Sequence, residues 1–184
     1  SLTEKPFIVK LFLFIIKLMV LTPHILVGAV IGAKVNNPGL IVIFGPLIHF
    51  ILDKIPHWEY GIMKNIKNFK NTKNFKFLIY PFLKLSIDFL LGLLIVAVII
   101  IIKKSYNINL LYVFSGVFFS ILPDIALGLS FLIDIILKKS IFEKYHNIHY
   151  KYLHCQKEKK GKITFFNFSL QILVMVIAIL LFFS

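Results

Sequence analysis

Arginine is absent from this chain and acids are scarce: eight Asp and Glu stand against 21 basic residues, every one of them lysine. Most of these lysines sit in two segments between apolar runs, a distribution that nucleic acid explains poorly and the cytoplasmic loops of a membrane protein explain well. The single cysteine, Cys155, excludes an internal disulfide; it stands beside His154, where a reactive or metal-binding thiol is the lesser reading, since a lone Cys without a ligand-spaced partner is more often incidental. Charged residues make up only 16% of the 184 positions against 59% hydrophobic, and mean hydropathy is +0.89. A soluble domain is thereby excluded, because runs such as Phe89 to Ile102 and Ile172 to Phe183 carry no charge and exceed what so short a chain can hide from water.

What is present fits a bilayer. The sequence predicts an all-α fold, a polytopic integral membrane helical bundle in one domain. Its lysine-rich segments alternate with apolar runs, as cytoplasmic loops do, and anionic lipid headgroups attract each such lysine by about 1 kcal/mol.

Residues 1–21 read as an apolar or interfacial N-terminal helix interrupted by Lys10 and Lys17. Thr22 as N-cap and Pro23 at the first helical position open a short helix to Ala33. A turn at Asn36 to Gly39 follows, then a second short helix from Leu40 to Ile55 that Pro56 terminates. A span needs about 20 residues, so 22–57 reads as a short helical hairpin rather than a crossing. The hairpin brings the start of its first helix beside the end of its second, and therefore His24 beside Asp53 and His57. Residues 61–76 read as a basic surface loop in which Ile62, Ile66 and Phe69 keep a faint amphipathic period. Two spans fill 77–137, Phe77 to Ile102 and Leu110 to Leu137, the latter broken at Pro123. A basic loop rich in His and Tyr covers 138–162, and 163–184 forms the C-terminal span.

Ionisable groups inside apolar helices cost about 2.5 to 3.5 kcal/mol each on insertion scales, so those that persist mark a function or a partner. His49 and Asp53 lie four apart on one helix face, and His24, His57, Asp88 and Asp124 can reach the same half of the bundle. Imidazole and carboxylate together are ligands for a divalent metal, zinc first, with manganese or iron as alternatives. The metal candidates are therefore His24, His49, Asp53, His57, Asp88 and Asp124, with His146 and His149 of the basic loop as additional ones. Plainer readings stand beside some of these. Asp88 follows Lys84 by one turn and Asp134 precedes Lys138 by one turn, spacings that suit internal ion pairs. His24 could be an interfacial residue, and the loop histidines part of an amphipathic surface.

The segments TPHILVGAVIG (22–32), HFILDKIPHW (49–58) and ILPD (121–124) resemble the membrane-bound metal-dependent hydrolases of the YdjM-like type. A more distant likeness is to zinc-dependent phospholipase C, an all-helical fold with HxxxD ligands. The resemblance implies a small multi-pass protein of a prokaryotic cell membrane with phospholipase-like activity. In this chain Asp124 is followed by Ile125 and Ala126 where the family carries a further Asp and His, and an Arg-containing Thr-His-Ser segment has no counterpart.

The residues and the resemblance converge on one expectation, hydrolysis of a phosphoester in a membrane lipid. Asp124 would serve as general base and Lys84 would hold the headgroup phosphate as a point charge. Two alternatives use the same residues: a cation or proton pathway in a transporter, and a non-catalytic membrane subunit whose acids are internally paired.

Overall fold

The computed structural model describes residues 20–55, 62–103, 108–139, 141–148 and 165–184. The expected N-terminal helix, His57, Cys155 and the part of the basic loop that carries His149 lie outside the described residues. Among the described residues every regular element is helical: α1 (Thr22–Lys34), α2 (Pro38–Asp53), α3 (Ile62–Thr72), α4 (Lys76–Lys103), α5 (Leu110–Leu137), α6 (Glu143–Ile148) and α7 (Phe165–Phe183). Three of these, α4, α5 and α7, are long and apolar enough to cross a membrane.

The short helices α1 and α2 form the expected hairpin across a connection at 35–37, with the Asn37 side chain accepting from the Leu40 N–H at 3.2 Å as N-cap. The start of α1 departs from expectation. Leu21 stands at the N-cap position without a side-chain cap, and Thr22 is the first helical residue. The segment read as a basic loop contains a helix, α3, because its small apolar period is put to use: Ile66 is buried with Leu127 and Phe131 of α5, and Phe69 packs on Phe75. Nor does Pro123 break α5, which runs unbroken from Leu110 to Leu137, as α4 does through Pro81. A proline removes one helical N–H, and in a membrane bundle the freed carbonyl can be re-satisfied by neighbours and small local adjustments.

Helix α1 is the hub, packing on α2, α4, α5 and α7. Its approach to α5 is close because Gly28 and Gly32, one turn apart, meet Gly116 and the Tyr112 backbone; a methyl group on Gly32 would overlap the Tyr112 carbonyl. Small residues at this spacing let membrane helices touch backbone to backbone. Around the contact Ile25, Ala29, Val113 and Val117 make the core together with Val96, Ile99, Ala178 and Phe182. At the far end the Lys103 ammonium donates to the Phe182 carbonyl at 2.5 Å, satisfying one of the unpaired carbonyls that end α7. The outward faces of α4 and α7 expose Leu90, Leu94, Ile101 and Leu180 by more than 60% each, a continuous apolar surface suited to lipid rather than water.

Candidate metal centre

The hairpin delivers the geometry its topology promises. His24 lies in the first turn of α1, His49 and Asp53 in the last two turns of α2, and all three are buried. The His24 Nε2 is 3.4 Å from Asp53 Oδ1, and the His49 Nε2 is 3.1 Å from Asp53 Oδ2. The two imidazoles face each other at 4.5 Å between centroids, tilted by 38°.

These separations can be weighed against what a metal demands. Zinc bonds of about 2.0 to 2.1 Å in a tetrahedron set ligand atoms roughly 3.3 Å apart. The observed 3.1 and 3.4 Å straddle that edge, and one ligand atom from each of the three residues falls within 4.8 Å of the others. The same distances also suit a hydrogen-bonded His–Asp–His chain, so it is the pairing of two imidazole nitrogens on one buried carboxylate that makes the group able to hold a divalent ion. The Ser120 backbone lies beside the His49 ring. Ser120 fixes the other histidine, since its hydroxyl is shared between the His24 carbonyl at 2.9 Å and the Val117 carbonyl at 2.8 Å.

Asp124 stands at the rim. Its Oδ1 is 3.6 Å from His49 Nε2, and its side chain is 31% exposed where Asp53 is 2% exposed. One turn further along α5, Leu127 forms with Phe131 and Ile66 a cluster against which Tyr145 of α6 packs. Burial first, and the Asp124 carboxylate second, push the Tyr145 phenol above its usual range, which places the phenol within the field of that carboxylate.

Asp88 has a different occupation. From α4 its Oδ2 accepts the Val20 N–H at 2.8 Å and the Leu21 N–H at 2.5 Å, while Oδ1 accepts the Thr22 N–H at 3.3 Å and the Thr22 hydroxyl at 2.5 Å. This carboxylate caps α1 from another helix, supplying both the acceptors and the negative charge that a helix N-terminus favours. Thr22 therefore spends its hydroxyl on Asp88 rather than on the N-cap role its position suggests.

The remaining candidates are scattered. Lys84 sets its Nζ 4.4 Å over the Tyr80 ring, and His146 falls on α6 beside Tyr145. Asp134 accepts the N–H groups of Ile141 at 2.9 Å and Phe142 at 3.2 Å, so it holds the turn after α5 in addition to standing one turn from Lys138. Sequence reasoning missed Tyr145 and Gln171 and gave Thr22 a different role, the N-cap of α1. For Gln171 a signal existed: it is an amide in the middle of an uncharged apolar run, and the structure buries it to 6% exposure. Thr22 and Tyr145 carry no such mark, since their partners come from other helices. No family model, curated protein or solved structure matches the chain.

Proposed function

We propose that the chain is a membrane-embedded metal-dependent hydrolase of phosphoesters, with a phospholipid as substrate. The observation that carries this reading is the approach of His24 and His49 to the two oxygens of a buried Asp53 within a bundle of membrane-length helices. His24, His49 and Asp53 would hold the ion, zinc in the first instance. A bound ion of this kind activates water near neutral pH and stabilises charge on phosphoryl oxygens. Asp124, a partly exposed carboxylate beside His49, would accept the proton of the attacking water and return it to the leaving alcohol. In the overall step the water oxygen bonds to phosphorus, the phosphorus–oxygen bond to the alcohol breaks, and the alcohol leaves with a proton. Lys84, on the helix that clamps α1, is assigned to the headgroup phosphate. The resemblance to the YdjM-like hydrolases supports the same chemistry.

The test uses the purified full chain in phospholipid vesicles with zinc, manganese or iron added singly. Metal-dependent release of a lipid headgroup, lost in Asp53→Ala, supports the reading. Ion or proton flux across the vesicle membrane without lipid turnover would replace it with the transport pathway that the same residues could build.

A further inference from the structure

The helix contacts fix which ends of the bundle lie together. Helix α1 runs antiparallel to α5, since the Ser120 hydroxyl reaches the His24 carbonyl while Gly32 meets the Tyr112 backbone. It runs parallel to α4, with Thr22 at Asp88 and Ile25 at Gly92. The start of α4 and the end of α5 therefore lie at the end of the bundle that carries His24, Asp53 and Asp124.

That end also carries the lysines. Lys64 and Lys70 on α3, Lys73 and Lys76 where the chain enters α4, and Lys138 and Lys139 after α5 are all exposed. The described lysines of the opposite end are Lys34, which is exposed, and Lys103, half-buried and turned onto the Phe182 carbonyl. Among the described side chains no carboxylate is exposed to offset this charge, since Asp53, Asp88 and Asp134 are buried and Asp124 is half-buried.

Helix α3 sets the charge beside the site. Its Ile66 is buried with Leu127 and Phe131 of α5, which stand three and seven positions past Asp124 on the same face of that helix. Those anchors lie about 5 and 10 Å along the axis from Asp124. With Ile66 and Phe69 turned inward, α3 presents Lys64 and Lys70 outward. A helix so divided, leading directly into a span, suits the headgroup layer of a bilayer.

We propose that this lysine-bearing end binds the headgroups of anionic phospholipids, and that the substrate of the metal site is such a lipid, drawn from the leaflet on that side. The excess of lysine makes that leaflet the cytoplasmic one. The choice of substrate rests on the hydrolase reading above, whereas the binding surface stands on the lysines and the helix directions alone.

The experiment places the full chain in phosphatidylcholine vesicles with a trace of spin-labelled phosphatidylglycerol or spin-labelled phosphatidylcholine. Electron spin resonance then separates lipid held at the protein from free lipid. Wild type should hold phosphatidylglycerol about ten-fold more tightly at low salt, and about 0.5 M NaCl should remove most of that preference. Combining Lys64→Gln, Lys70→Gln, Lys73→Asn and Lys76→Gln should lower it about five-fold, asparagine suiting the φ of 55° at position 73. Lys34→Gln, at the other end, should leave it unchanged, and the salt series on the wild type serves if the combined variant fails to fold. Equal affinity for the two lipids, or a preference that the combined variant keeps, overturns the surface. With zinc present, phosphatidylglycerol should be hydrolysed faster than phosphatidylcholine, by a margin that the combined variant erases. Hydrolysis of both lipids at one rate overturns the choice of substrate and leaves the hydrolase reading standing. A binding preference with no turnover of either lipid overturns the hydrolase reading, and the substrate with it, but not the surface.

Discussion

Asp53 and Asp88 are both carboxylates buried in apolar helices, and the sequence makes each a candidate metal ligand, although only Asp88 has a lysine, Lys84, one turn away. Their neighbours in space differ. Asp88 is surrounded by donors that belong to the fold, the N–H groups of Val20, Leu21 and Thr22 and the Thr22 hydroxyl. Asp53 faces two imidazole nitrogens, groups that can donate a proton or accept a metal. The comparison teaches that the cost of burying an acid says only that a partner exists. Whether the partner is structural or chemical is decided by the atoms around its oxygens. The two sites are also coupled, because Asp88 fixes the turn of α1 from which His24 projects.

The sharpest way to break the comparison is to exchange the consequences of losing each acid. Asp53→Ala and His49→Ala should weaken metal binding by about two to three orders of magnitude, the share of one ligand in an apparent binding energy of about 10 to 16 kcal/mol for four. Their unfolding in detergent without metal should change little, which thermal melts with and without chelator would check. Asp88→Ala should behave in the opposite way. It strands buried N–H groups at a helix start, and a loss of about 3 kcal/mol in stability is expected from thermal unfolding, with metal still bound by the fraction that remains folded. A stable Asp88→Ala protein that had lost its metal would move Asp88 into the metal site.

Asp124→Asn tests the rim. Removing a general base should lower turnover about 100-fold, and elemental analysis should find the metal content unchanged. Loss of the metal in that variant would make Asp124 a ligand instead. The smallest effect is expected at Lys84, whose ammonium already rests over the Tyr80 ring. Lys84→Ala should raise the apparent KM for an anionic lipid about three-fold, with stability within about 1 kcal/mol, since a cation–π contact of a half-buried lysine on an exposed ring contributes about that much.

Much of this arrangement was legible in the sequence. Long uncharged runs announce the spans, and the spacing of four between His49 and Asp53 puts them on one face. The Asn-Pro-Gly signal marks the reversal, which the structure makes at 35–37 with Pro38 and Gly39 already in α2, so that His24 arrives at Asp53 although 29 positions separate them in the chain. The role of Asp88 was not legible, because a cap supplied by a different helix leaves no local pattern. Pro123 misled for a related reason. Proline breaks helices that water surrounds more readily than helices that neighbours hold in place. The amphipathic helix α3 was visible only as a faint period, since abundant Lys and Asn mask the few apolar residues that dock it.

The central claim is that two histidines and one aspartate of the hairpin hold a divalent metal. Elemental analysis of the full chain, purified without chelator and after adding back zinc and manganese, tests it most directly alongside Asp53→Ala and Asp88→Asn. The account predicts one metal per chain in the wild type, retained in Asp88→Asn and absent from Asp53→Ala. A wild type without metal, or an Asp53→Ala protein that still holds it, would contradict the account.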